Sequence, residues 1–254
     1  MKSPFVAGHS ALAVLLMTAT ALANAADLTV GVASNFAATM PRLAAAFEAS
    51  SGYTVRTSVG STGKLYAQIV NGAPFDVMLA ADARRPALLV DAGLAVAESR
   101  FTYATGRLVV WSRDPALTDC RAALSEGLGK IAIANPATAP YGEAARSTLL
   151  ALDLWDAVAP RLVTGESIGQ TLHFAASGNA SLGFVAAAQL TSAVPRPSCQ
   201  WHVPSGYHAR IEQQAVLLTG ARNARAAHEF LTFLRGDEAR RIVAAAGYGG
   251  LAAD

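Results

Sequence analysis

The order of apolar and polar positions divides the chain into short runs of two kinds. Leu28 to Ala33 is an apolar run that reads as a strand, Phe36 to Ser50 repeats apolar residues at helical spacing, and Tyr53 to Val59 reads as strand again. The rhythm continues with a helical Lys64 to Val70, a buried strand at Phe75 to Ala80, a helical Arg85 to Ala92 and a strand at Arg107 to Trp111. Lys130 to Ala134, Gly142 to Leu152, Ser167 to Ala176 and Ser181 to Val185 repeat the alternation. Ile211 to Leu218 then gives one more strand, before closing helices at Ala224 to Phe233 and Glu238 to Ala244. Strands separated by helices pair in parallel, because each helix carries the chain back over the sheet. The expected class is therefore α/β, with mostly parallel sheets flanked by helices. Gly and polar residues break the rhythm near Thr105-Gly106 and from Gly206 to Ala209, where the chain is expected to cross between two lobes.

Ahead of the first strand the pattern changes. Lys2 supplies a positive start, Ala11 to Ala23 an apolar stretch, and Ala23-Asn24-Ala25 the small residues that a signal peptidase reads, so residues 1–25 are expected to be a cleaved leader and Ala26 the first mature residue. The competing reading, an uncleaved anchor, is weakened by a run too short and too rich in Ala and Thr to span a bilayer. The expected organisation is then 26–106 for the first part of lobe 1, 107–208 for lobe 2 and 209–254 for the return into lobe 1.

Charge and cysteine content narrow the function classes. The chain has 20 Lys and Arg against 18 Asp and Glu, with no run of like charge. A nucleic-acid groove needs a basic stripe to neutralise phosphates, and no such stripe is present. Cys120 and Cys199 form an even pair in a chain expected to be exported, which favours a disulfide over two buried thiols. Neither has another Cys or a His at metal-ligand spacing.

The strand-to-helix turns carry the candidate chemistry. Ser34-Asn35, Ser61-Thr62-Gly63, Tyr141-Gly142 and Ser167-Ile168-Gly169 each place hydroxyl, amide or free N–H groups at the start of a helix, where unpaired donors and the helix dipole attract anions. Ser, Thr and Asn are also the ordinary capping residues, so each turn taken singly is explained as a cap.

Longer stretches go further. Val32-Ala33-Ser34-Asn35-Phe36, the block from Gly60-Ser61-Thr62-Gly63-Lys64 through Asn71-Gly72-Ala73-Pro74-Phe75-Asp76-Val77 to Ala80-Ala81-Asp82, then Asn135-Pro136, Ala139-Pro140-Tyr141-Gly142, Leu154-Trp155-Asp156 and Leu182-Gly183-Phe184-Val185 occur in this order. Together they resemble the periplasmic molybdate-binding proteins over essentially the whole mature chain. The resemblance implies a class II, two-lobed periplasmic-binding-protein fold. It further implies a monomer that captures one tetrahedral oxyanion, molybdate and also tungstate, and hands it to an inner-membrane ABC permease. Sulfate or another tetrahedral oxyanion is the alternative within the same class. No cofactor is implied, and molybdenum would be held through its oxygens without a direct bond to protein.

Carried over by position, the resemblance marks Ser34, Thr62, Tyr141 and Ile168 as ligand contacts, the last through its backbone N–H. Asn35 and Ser61 are neighbours that add a backbone or side-chain donor. One position departs from the pattern. Some relatives carry a ligand Tyr directly after the Leu-Gly-aliphatic-Val strand, where this chain has Ala186; others carry it at the Pro-Tyr-Gly turn, which Tyr141 matches.

Neutral donors suffice for such a site, since hydrogen bonds to a charged group are worth about 1.5 to 3 kcal/mol each. Glu166 is read as a first-turn carboxylate resting on a helix N-terminus. Asp82 is read as an N-cap or a lobe-closure contact. Two hydrolase patterns also occur. Gly165-Glu166-Ser167-Ile168-Gly169 matches a nucleophile elbow and Ser61-Thr62-Gly63-Lys64 matches S-x-x-K, but the partners that either chemistry needs are missing downstream, so a secreted serine hydrolase is the minor reading and a non-enzyme the main one. The Trp residues at 111, 155 and 201 are read as packing residues.

Overall fold

The computed structural model describes residues 27–190 and 194–250, so the expected leader and Ala26 lie outside the described residues. The first part of the chain forms β1 (Asp27–Ala33), α1 (Met40–Ser51), β2 (Thr54–Gly60), α2 (Thr62–Val70), β3 (Val77–Ala80), α3 (Arg84–Asp91) and β4 (Phe101–Gly106). A second run follows with β5 (Leu108–Ser112), β6 (Ile131–Ala134), α4 (Pro140–Ala151), α5 (Trp155–Val158), β7 (Leu162–Gly165), α6 (Ile168–Ser177), β8 (Leu182–Ala186) and β9 (Cys199–His202). The chain closes with β10 (Ile211–Leu217), α7 (Ala224–Arg235) and α8 (Asp237–Ala245).

Prolines move two helix starts away from the positions that apolar spacing predicts. A ring nitrogen without N–H fits only the first turn of a helix. Pro41 therefore opens α1 at Met40, and the residues before it, Ser34–Phe36, form a separate 3-10 turn. Pro140 likewise opens α4 two residues ahead of Gly142, which places Tyr141 in the first turn.

The strands form two five-stranded sheets, in the orders β2-β1-β3-β10-β4 and β7-β6-β8-β5-β9. Within each, three strands run parallel, β2-β1-β3 and β7-β6-β8. The other pairings are antiparallel: β10 with β3 and β4, and β5 with β8 and β9. Mostly parallel sheets were expected, and the difference has a directional cause. β4 leaves the first sheet and β10 returns to it, so the two run oppositely when they pair; β5 enters the second sheet and β9 leaves it, with the same result. β4 and β9, which apolar patterning passes over, are edge strands with mixed sequences, FTYATG and CQWH.

Each sheet has its own core. Leu28, Val30, Val32, Phe36, Leu43, Phe47 and Phe230 pack in the first, where Phe47 meets Phe230 edge to face at 5.2 Å. Val110, Ile131, Ile133, Leu149, Leu182 and Phe184 pack in the second. Trp111 is fully buried in a separate cluster of that sheet, with Val109, Ala175 and Val185, while Trp201 packs against Tyr207. Cys120 and Cys199 are joined, with 5.4 Å between their Cα atoms, and tie the loop before Ala122–Leu124 to the edge strand β9.

The lobes meet across the carboxyl ends of their parallel strands. Gly63 N–H donates to the Thr138 carbonyl at 2.8 Å, an approach that leaves no room for a side chain, because a Cβ on Gly63 would stand 2.8 Å from that oxygen. Arg85 Nη2 donates to the Ala137 carbonyl at 2.9 Å, and Lys64 pairs with Glu166 at 2.7 Å.

Candidate functional site

The four turns converge on one cavity. Ser34, Asn35, Ser61, Thr62, Tyr141 and Ile168 line one small cavity, with free room on the scale of a single water, and Pro140 with three alanines completes its wall. All six residues are buried, and no charged side chain lines the space.

Side-chain bonding separates caps from free donors. Ser167 is an ordinary cap: its Oγ accepts from Gln170 N–H at 3.3 Å. Ser61 stands at the same place before α2, yet makes no capping bond, and its buried Oγ has no partner. Lys64 points away from it to Glu166, so the S-x-x-K pattern supplies no base. Thr62 Oγ1 accepts from Ala81 N–H at 3.0 Å, which leaves its own hydroxyl proton free to donate.

Tyr141 is the second buried hydroxyl without a partner. Burial pushes its pKa well above the usual phenol range, and the nearby Tyr248 and Tyr103 push in the same direction, so the group stays a neutral donor. Burying an unpaired hydroxyl costs about 1 to 3 kcal/mol, and an anion in the cavity would recover that cost. Ile168 is the first residue of α6, where a helix has N–H groups with no internal acceptor. Among the described residues no hydrogen bond engages its N–H.

Asn35 differs from the rest. Its Nδ2 donates to Gln213 Oε1 at 2.8 Å and to Tyr248 Oη at 2.9 Å, while the Tyr248 hydroxyl donates to the Asn35 carbonyl at 2.9 Å. Gln213 Nε2 is held by the Ile211 carbonyl, which fixes the direction of the chain of bonds. Both amide protons of Asn35 are therefore committed inside the protein, which leaves its backbone N–H as the donor available to the cavity.

Residues behind the cavity escape a reading by turns. Gln213 and Tyr248 hold Asn35; Gln189 accepts from Ala186 N–H at 3.0 Å and donates to the Ile168 carbonyl at 3.1 Å. The adjacent Gln213 and Gln214 in β10 (IEQQAVL) and a tyrosine after α8 were the signals available for the first two. Two acidic residues also differ from expectation. Glu166 does not rest on the α6 N-terminus, since its carboxylate reaches Lys64 in the other lobe. Asp82 stands one residue ahead of Ala83, the cap position of α3; it accepts from Arg85 N–H at 2.8 Å and holds the Arg85 guanidinium at 2.6 Å, and it is Arg85 that reaches the Ala137 carbonyl.

A pair of α/β lobes shut on a neutral, donor-lined cavity defines a solute-binding protein of the two-lobed kind. Comparison with known proteins agrees. The family model for bacterial extracellular solute-binding protein matches residues 28–249. The molybdate-binding protein ModA of Azotobacter vinelandii is 44% identical over 230 residues, which is 89% of this chain and 91% of its own. That of Rhodobacter capsulatus is 44% identical over 244 residues, 95% of each chain. The solved structure of the Azotobacter vinelandii periplasmic molybdate-binding protein matches with a TM-score of 0.83 at 42% identity, covering 87% of this chain and 98% of that one. The chain belongs to the bacterial extracellular solute-binding proteins, in the family of the molybdate-binding proteins.

Proposed function

We propose that this protein captures molybdate, and also tungstate, as a fully deprotonated tetrahedral anion in the periplasm, and delivers it to an inner-membrane ABC permease. It acts as a monomer, the residues that line the cavity all coming from one chain, and as a binding protein rather than an enzyme. The hydroxyls of Ser34, Ser61, Thr62 and Tyr141 and the backbone N–H groups of Asn35 and Ile168 donate to the four oxygens, and molybdenum itself touches no protein atom. The observation that carries the reading is the pair of buried, unpartnered hydroxyls, Ser61 Oγ and Tyr141 Oη, in a cavity without charge.

Selection rests on the donor set and on size. A partly protonated phosphate brings a proton that needs an acceptor, and a site whose hydroxyl protons all turn to the anion offers few. A larger anion reaches donors that a smaller one, such as sulfate, leaves at longer distance. Equilibrium unfolding tests the ligand. Molybdate at 100 times its dissociation constant is expected to add about 2.7 kcal/mol to stability, and the same concentration of sulfate or phosphate much less. No stabilisation by molybdate at millimolar concentration defeats the proposal.

A further inference from the structure

Gly106 ends β4 and pairs with Ile211 of β10, where the two crossings between the lobes run side by side. Its backbone does not demand glycine, because its φ is not among the positive values that glycine adopts elsewhere in this chain. Space demands it instead. A Cβ at this position would collide with the Tyr141 hydroxyl oxygen and stand 2.9 Å from Tyr141 Cζ and 3.0 Å from Gln213 Nε2. Tyr141 belongs to the lobe of the second sheet, so its phenol crosses to lie over the crossing strands. Gln213 is the residue that accepts from Asn35 at 2.8 Å. One absent methyl group thus accommodates both a donor of the cavity and the side chain that fastens another.

We propose that Gly106 is a positioning residue for the anion site: its missing side chain seats the Tyr141 hydroxyl against the paired crossing strands when the lobes close. The proposal rests on the ligand reading above and adds a requirement to it. Where a tyrosine approaches from the α4 turn, position 106 must stay glycine, and Tyr141 thereby couples the filled cavity to the strands on which the lobes turn. In the ligand-free, open protein the ring is free to withdraw, so a methyl group at 106 penalises closure on the anion more than folding.

The test is a titration of wild type, Gly106→Ala, Tyr141→Phe and the double variant, arranged as a double-mutant cycle. Each is titrated with whichever of molybdate, tungstate and sulfate the wild type binds most tightly. A wild type that prefers sulfate thus overturns the ligand reading while the coupling is still measured. Gly106→Ala alone is expected to weaken binding about tenfold or more, with the ligand-free melting temperature within about 3 °C of wild type. On Tyr141→Phe the same substitution is expected to cost about threefold or less, since the closest atom is gone and the looser contacts, Cζ at 2.9 Å and Gln213 Nε2 at 3.0 Å, remain. Equal fold losses in both backgrounds, or no loss on the wild type, overturn the proposal. A larger fall in ligand-free melting temperature in both backgrounds also overturns it, by making Gly106 a folding residue, and a wild type that binds none of the three anions overturns both readings.

Discussion

The first lobe brings Asn35 and Thr62 to the cavity already fastened and Ser61 bare, whereas the second brings both of its donors bare. On the first side, Asn35 is held by Gln213 and Tyr248, and Thr62 Oγ1 by Ala81 N–H. On the second, the Tyr141 hydroxyl has no partner and Ile168 is steadied only through its carbonyl, by Gln189. A donor that is fastened before the ligand arrives loses little freedom on binding, and one that is unpaired gains the most from it. The first lobe is therefore the more preformed half of the receptor, with Ser61 as its exception, and the second is the half whose donors gain most on closure.

The scaffold shows the opposite asymmetry, and the largest effect should come from there. The second lobe carries the Cys120–Cys199 bridge, which closes 79 residues of sequence, while no disulfide holds the first. Replacing both cysteines by Ala is expected to cost about 2 to 5 kcal/mol, read from denaturant unfolding of oxidised protein. Binding by refolded protein should persist, because neither cysteine lines the cavity. An unchanged unfolding midpoint would remove the bridge from the account.

Tyr141→Phe comes next and probes the bare half directly. Losing the hydroxyl while keeping the ring should weaken molybdate binding by about 1.5 to 3 kcal/mol in calorimetry, with ligand-free stability equal or slightly higher because an unpaired buried group has gone. Wild-type affinity in this variant would take Tyr141 out of the ligand set.

Tyr248→Phe probes the fastened half, and its signature should be reversed. Asn35 loses one acceptor for its amide and one donor to its carbonyl. Stability is expected to fall by about 1 kcal/mol, with a smaller effect on affinity than that of Tyr141→Phe. Affinity falling more than stability would make Tyr248 part of the ligand shell and erase the contrast between the halves.

The smallest effect belongs to the clasp at the mouth. Lys64 and Glu166 are about half exposed, with side-chain exposures of 49% and 63%. Lys64→Ala should cost less than about 1 kcal/mol of affinity, a loss that shrinks further in high salt. A larger, salt-independent loss would mean that the pair does more than hold the rim.

Much of this architecture is legible in the order of residues, and the rest is hidden for identifiable reasons. Apolar spacing locates every parallel strand but the short β7, and the turns after the strands converge, with Ser34, Asn35, Ser61, Thr62, Tyr141 and Ile168 on one cavity. β4 and β9 are invisible to it because edge strands bury only one side and tolerate polar residues. Direction is also hidden: nothing in a run such as Ile211–Leu217 says that it enters its sheet against the parallel strands. Bonds between distant side chains lie furthest from reach. Asn35 and Gln213 are 178 residues apart, so the sequence shows an amide at a promising turn without showing that its protons are already committed. Glu166 misleads for the same reason, since a local rule assigns it to its own helix and Lys64 lies far upstream.

The most direct test of the central claim is isothermal titration of the mature protein with molybdate, tungstate, sulfate and phosphate in turn. Tight binding at one site per chain is expected for molybdate and tungstate, with sulfate at least about a hundredfold weaker, a difference of about 2.7 kcal/mol, and phosphate weaker still. Sulfate bound as tightly as molybdate would contradict the account.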